Sequence, residues 1–231
     1  MKLEKLLRNV PVTTCTAARE LEITGVCYDS RQVRPGDLFV AVPGFAADGH
    51  RFIPMALENG AAAVLCEKAP AEGAYIQTPS TRTALAQVSV NWFGDPASGM
   101  KLIGVTGTNG KTTVTTVLKE VLERTLGAKV GLIGTNQNMI GDAVLPAERT
   151  TPDALTLQRL LREMAEADAK MIEKYKEAIK KEDQVSESEY ERRLTVCKTC
   201  ELLNAGTCGA CGCYVELRAA AAVSKCPYKK W

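Results

Sequence analysis

A lysine and two threonines directly behind a run of glycines are residue types suited to phosphate chemistry. They occur in Lys101-Leu-Ile-Gly104-Val-Thr-Gly107-Thr108-Asn109-Gly110-Lys111-Thr112-Thr113. Glycine lets backbone amides approach a ligand closely and adopt positive φ where needed. Those amides, with the positive end of a helix dipole, favour an anion. In that frame Lys111 reaches the β- and γ-phosphates of a nucleotide, and the Thr112 hydroxyl reaches Mg²⁺. The spacing departs from G-x-x-x-x-G-K-[ST], which places glycine where this chain has Val105. A turn needing glycine for geometry alone is the plainer alternative. Such a turn has no use for the lysine and the hydroxyls.

A second chemistry is carried by cysteine. The chain has nine cysteines, and six of them crowd its end: Cys197-x2-Cys200, Cys208-x2-Cys211-x-Cys213 and Cys226-Pro227. Paired Cys-x2-Cys turns present thiolates tetrahedrally to Zn²⁺. Four thiolates also suit iron, and disulfides are the alternative in an oxidising compartment. Cys197 and Cys200 form a ligand pair in any arrangement. The spacing leaves open which two of Cys208, Cys211, Cys213 and Cys226 complete the site. Cys15, Cys27 and Cys66 are scattered in apolar settings and read as buried, inert thiols.

The elements that must position these residues can be read from pattern. Leu102 to Val105 is a short apolar run, a buried strand by length, and Val114 to Leu126 has helical periodicity. Upstream, a helix at Lys2 to Arg8 precedes strands at Glu22 to Tyr28, Leu38 to Val42 and Ala61 to Cys66. A loop from Pro43 to Gly49 and a helix from Phe52 to Asn59 lie between the last two. This alternation argues an α/β unit. Downstream, Lys129 to Thr135 reads as a strand and Asn136 to Pro146 as a hairpin or long loop. A helix runs from Asp153 to about Asp168, with Thr151 as its N-cap and Pro152 in its first turn. A charged amphipathic helix follows at Lys170 to Lys181. Ser186-Glu-Ser-Glu189 then opens a short helix by a capping box.

Gly107 to Thr113 resembles the nucleotide loop of the Mur ligases. Asp29-Ser30-Arg31, Pro35-Gly-Asp-Leu-Phe-Val-Ala41 and Gly44 through Asp48-Gly-His-Arg-Phe-Ile53 resemble, more narrowly, the N-terminal domain of the UDP-N-acetylmuramoyl-tripeptide synthetases in that family. The resemblance implies ATP and Mg²⁺ held by Gly107, Thr108, Asn109, Gly110, Lys111, Thr112 and Thr113, with Lys111 and Thr112 acting in catalysis. It implies uridine contacts at Tyr28, Ser30, Phe45, Ala46 and Ala47, a turn fixed by Asp29 and Arg31, and sugar-peptide contacts at Thr150 and Thr151. The implied reaction forms an acyl-phosphate from ATP on UDP-MurNAc-dipeptide. The amine of diaminopimelate or lysine then displaces the phosphate.

The likeness covers roughly the first 168 residues. The family's further ATPase strands, carbamoylated lysine and acceptor domain have no counterpart after that point. The expected organisation is a UDP-sugar-binding domain at 1–97, the first part of a P-loop parallel-sheet ATPase domain at 98–168, and a helical, cysteine-rich metal-binding tail at 169–231. Exposed sheet edges and apolar surface are expected between residues 100 and 168. The tail resembles a small cysteine-rich bacterial family with the pattern C-x2-C, C-x2-CGC and CP near a final tryptophan. A non-catalytic fragment carrying a zinc-binding interaction module is therefore the alternative to an active ligase.

Totals narrow the classes further. A net charge of +2 gives no field that argues for nucleic acid or an anionic membrane. The charged N-terminus lacks an apolar signal core, and no apolar run reaches the length of a membrane span. The expected location is the cytoplasm.

Overall fold

A computed structural model describes residues 1–44, 47–126, 129–147, 151–204, 206–211 and 213–231. The chain divides into two compact units. One is Met1–Asp95 with Asp153–Arg159, and the other is Pro96–Pro152 with Leu160–Trp231.

The first unit is built on a five-stranded sheet. Its strands are β1 (Thr14–Cys15), β2 (Gly25–Cys27), β3 (Asp37–Val40), β4 (Ala63–Cys66) and β5 (Tyr75–Gln77), in spatial order β1-β5-β4-β3-β2. β2 through β5 are parallel, with Val26 opposite Leu38, Phe39 opposite Val64 and Leu65 opposite Ile76. β1 closes one edge antiparallel, Thr14 opposite Gln77. Parallel strands covered on both faces read as continuous apolar runs, and every residue of β3 and β4 is buried.

Successive side chains point to opposite faces, so the two strands feed two cores. Leu38, Val40, Ala63 and Leu65 pack with Leu3 and Leu6 of α1 (Leu3–Leu6) and with Ala84, Leu85 and Val88 of α3 (Thr81–Phe93). Phe39, Ala41, Val64 and Cys66 pack with Ile53 and Ala56 of α2 (Ile53–Glu58). α3 starts under Ser80, whose hydroxyl accepts from the Thr83 amide, and it stops at Gly94, which adopts φ 75°. Cys66 is buried as expected, and burial pushes its thiol up to about 11. Cys15 is exposed on the edge strand instead, because a two-residue strand leaves its side chain uncovered.

In the second unit, α4 (Lys111–Leu126) leads to β6 (Gly131–Ile133), β7 (Gln137–Ile140) and β8 (Ala143–Pro146). The hairpin expected at 136–146 forms. However, β6-β7-β8 is an antiparallel sheet, not part of a parallel one. The strand expected at Leu102 to Val105 is not formed. Among the described residues nothing pairs with it. Leu102 is 61% exposed and Ile103 53%, and Val114, Val117 and Val121 of α4 are exposed as well. The apolar surface expected between 100 and 168 is therefore present. Backbone amides at 102–106 should exchange with solvent orders of magnitude faster than those of β3 and β4. Hydrogen-exchange mass spectrometry checks this, and equal protection would contradict the unpaired segment.

α5 (Ala154–Ala178) runs unbroken where the pattern suggested two helices. Its first amides are met by Asp153, not Thr151. The Asp153 carboxylate accepts from Thr156 N at 3.0 Å and from its hydroxyl at 2.9 Å. A carboxylate at the helix boundary takes the cap from the more distant threonine. Pro152 consequently precedes the first turn.

The end of the chain holds α6 (Glu187–Lys198), β9 (Leu203–Asn204), β10 (Thr207–Cys208) and α7 (Val215–Ala220). Ser186 caps α6 as its spacing suggested, accepting from Glu189 N at 3.3 Å. Leu194, Val215 and Ala219 form a small core against which Cys197 and Cys208 pack. Among the described residues no helix is long and apolar enough to cross a membrane.

Candidate functional site

The glycine loop lies immediately before α4, as its sequence requires. Gly107 has φ 151° and Gly110 φ 78°, values that side-chain-bearing residues rarely adopt. A Cβ at Gly104 or Gly110 would meet nothing within 4 Å. Internal packing therefore does not explain those two glycines, and the space outside the loop is open to a ligand. Lys111 folds back over the loop, its Nζ donating to the carbonyls of Gly107 at 2.6 Å and Thr108 at 3.3 Å. Thr108, Asn109, Thr112 and Thr113 are exposed.

Thr112, Thr115 and Thr116 share a cavity of about 170 Å³ with Thr135, Asn136 and Gln137 from the β6–β7 turn. An ammonium, a helix N-terminus and convergent hydroxyls suit a polyphosphate with a divalent cation. A nucleotide bound with Mg²⁺ thus fits the residues present. Thr135 to Gln137 were not singled out by sequence, because nothing in their types marks them until the turn brings them opposite α4.

In the first unit, Asp29 does fix the turn after β2. Its carboxylate accepts from Arg31 N at 3.1 Å and from the Arg31 guanidinium at 2.9 and 2.7 Å. The bond from the guanidinium is the main cause that holds this carboxyl below its ordinary value. Ser30 is buried, its hydroxyl on Met55 Sδ at 3.4 Å and its carbonyl accepting from Asn59 Nδ2 at 2.9 Å.

Tyr28 is partly exposed, and its hydroxyl bonds the carboxylate of Asp153. Burial pushes Asp153 up, but the bonds from Thr156 and Tyr28 outweigh it and hold the carboxyl low. Sequence reading missed Asp153 because only the fold brings it to Tyr28. Ala47 is exposed and its carbonyl accepts from Gly44 N at 3.0 Å. Phe45, Ala46 and Thr150 lie outside the described residues, and Thr151 is exposed.

The only histidine, His50, anchors the far end of that loop. Its Nδ1 lies 2.6 Å from Asp48 Oδ1, and its Nε2 accepts from Glu67 N at 2.9 Å. Accepting at Nε2 assigns the proton to Nδ1.

In the tail, Cys197, Cys200, Cys208 and Cys226 line one cavity of about 20 Å³. Trp231 Nε1 donates to Cys197 Sγ at 3.2 Å, and Lys230 Nζ to Cys200 Sγ at 3.3 Å. Burial pushes the Cys197 thiol up, the Trp231 bond offsets part of that, and the nearby sulfurs of Cys226, Cys208 and Cys200 add to the rise. Cys211 and Cys213 instead face Arg218 Nη1, each sulfur at 3.3 Å. Among the described residues no three His, Cys, Asp or Glu side chains stand at metal-binding geometry.

Comparison with known proteins assigns these segments. Residues 22–91 match the "Mur ligase family, catalytic domain" and 105–191 the "Mur ligase middle domain". Residues 156–231 match a "Family of unknown function (DUF6171)", which overlaps the middle-domain match along α5 and the start of α6. The UDP-N-acetylmuramoyl-L-alanyl-D-glutamate--2,6-diaminopimelate ligase of Bacteroides fragilis is 47% identical over 176 residues, covering 74% of this chain and 36% of its own. The ligases of the same name from Clostridium botulinum and Listeria monocytogenes are 45% identical over 151 residues and 41% over 165. They cover 63% and 71% of this chain, and 31% and 33% of their own lengths. The chain thus spans about a third of the length of the curated relatives it matches.

A solved diaminopimelate ligase superposes with a TM-score of 0.57 at 24% identity, covering 73% of this chain and 34% of its own, which speaks for the fold. Over its first three quarters the chain is similar to Mur ligases, and its end is similar to DUF6171.

Proposed function

We propose that this chain supplies the nucleotide- and substrate-holding part of an ATP-dependent ligase that adds diaminopimelate to UDP-MurNAc-L-Ala-D-Glu. The observation that carries this is Lys111 lying over the Gly107 and Thr108 carbonyls at the start of α4. The diaminopimelate named for the relatives supports the choice of that amino acid over lysine. ATP bound with Mg²⁺ supplies the phosphoryl group that activates a carboxylate for attack by an amine.

Lys111 exchanges its two carbonyl partners for phosphate oxygens and neutralises their charge. Loop amides from Gly107 to Gly110 line up on the same oxygens, and the Thr112 and Thr113 hydroxyls take the cation side. The UDP end rests on Tyr28, Ser30 and the 45–47 loop, and the sugar-peptide on Thr150 and Thr151. Zn²⁺ binds in the tail, through Cys197 and Cys200 with two of the other four thiols. A reading built on ATP, a nucleotide-linked substrate and thiol-bound Zn²⁺ supports the cytoplasm as the location.

Isothermal titration of the full chain with Mg-ATP, beside Lys111→Ala, tests the reading. Loss of one charge-assisted bond pair costs about 1.5–3 kcal/mol, roughly ten- to a hundredfold in affinity. UDP-substrate binding should stay unchanged. Equal ATP affinity in both proteins would overturn the assignment of the loop.

A further inference from the structure

The thiols of the tail separate into two groups by what surrounds them. Cys197 closes α6 and Cys200 sits in the turn behind it, with Cys200 N donating to Cys197 O at 3.1 Å. Cys208 ends β10, and Cys226 opens the last turn, where Lys229 N donates to its carbonyl at 3.0 Å. All four line the same small cavity, with Val215 and Trp231 in its wall. At about 20 Å³ it has room for one water-sized body, which suits a single ion and not a multi-iron cluster.

Cys211 and Cys213 are not among the described residues of that wall. Both sulfurs face one guanidinium, Arg218, whose Nε is itself tied to the Lys225 carbonyl at 2.9 Å. Two sulfurs of the cavity wall also meet nitrogen donors. Lys230 reaches Cys200, and Trp231 donates to Cys197. Hydrogen bonds of this kind orient and support metal-bound ligands.

We propose that Cys197, Cys200, Cys208 and Cys226 are the Zn²⁺ ligands of the tail, and that Cys211 and Cys213 form a separate thiol pair held by Arg218. This rests on the Zn²⁺ reading above and names its ligand set. Each ligand thiol releases its proton to solvent as its sulfur binds, and the four close from the cavity wall onto the ion. Trp231, already on Cys197, reports that closure.

The test uses the full chain, reduced and stripped of metal, titrated with Zn²⁺ alone. Native mass spectrometry should give one Zn²⁺ per chain, with a change in Trp231 fluorescence at the same ratio. Alkylation mapping should then find Cys197, Cys200, Cys208 and Cys226 protected while Cys211 and Cys213 still react. Cys208→Ser and Cys226→Ser should weaken binding about a hundredfold or more, and Cys211→Ser and Cys213→Ser should leave it in place. Where a variant fails to fold, the alkylation map of the unaltered chain decides. Zn²⁺ bound with Cys211 or Cys213 protected would overturn the quartet while leaving the Zn²⁺ reading intact. Absence of Zn²⁺ from the reduced chain would overturn both.

Discussion

Phe39→Ala is expected to remove about 3–5 kcal/mol from the first unit, a large fraction of the roughly 5–15 kcal/mol that holds a domain together. Phe39 sits in β3 with no exposed surface, between β2 and β4 and under Ile53 and Ala56 of α2. Neighbours on every side are fixed by the sheet ladder or by α2, so they cannot collapse into the space left behind. The lost transfer energy and the cavity penalty therefore add in full. Phe52→Ala is the control. That ring is 39% exposed, and its loss should cost about 1 kcal/mol or less. Urea denaturation followed by circular dichroism separates the two, and similar midpoints would contradict the placement of the second core.

Gly49→Ala is expected to be nearly as severe for a different reason. A Cβ there would lie 2.6 Å from Val42 O and 2.7 Å from Val42 N. Both are backbone atoms at the end of a buried run, so neither can swing aside. Gly49 N also donates to Val42 O at 3.1 Å, and Pro43 bridges Asp48 beside it. Forcing these apart separates Val42 and Pro43 from Asp48 and Gly49. The expected cost is about 3 kcal/mol, the upper part of the range for overpacking, with weaker UDP-substrate binding alongside. Gly104→Ala, with nothing within 4 Å of the added carbon, should change stability by about 0.5 kcal/mol or less. Thermal melts and substrate titration of both variants check the pair. An unaffected Gly49→Ala would show that the loop base can relax.

What could be read in advance follows a physical line. β3 and β4 were legible because both faces are buried, which makes their sequences continuous apolar runs. The glycine loop was legible because a phosphate cradle needs particular residue types in order. The Ser186 cap was legible because its partner is only three residues away.

β1 and β5 were not legible. Two or three residues carry no usable period, and their pairing joins Thr14 to Gln77 across most of the domain. Leu102 to Val105 has strand propensity, but pairing depends on a neighbouring strand that the local pattern cannot supply. The division of the six tail thiols was hidden for a similar reason. Spacing makes Cys208 and Cys211 look like a knuckle, and only the position of Arg218 separates them.

Asn91 donates its side-chain amide to the carbonyls of Leu6 and Arg8, at 2.8 and 2.7 Å. Together with Leu3 and Leu6 in the core under α3, this makes the beginning of the chain depend on a segment made much later. Leu6 and Asn91 are 85 residues apart. At roughly 5–20 residues per second on the ribosome, Leu6 waits roughly 4–17 s for its partner. Through that interval the core that takes Leu3, Leu6 and Val10 lacks Ala84, Leu85 and Val88 of α3, so these residues are fully covered only late in the making of the first unit. Synonymous codons that slow translation between residues 10 and 91 should lengthen the exposure, and the nascent chain's demand for chaperones should rise with it.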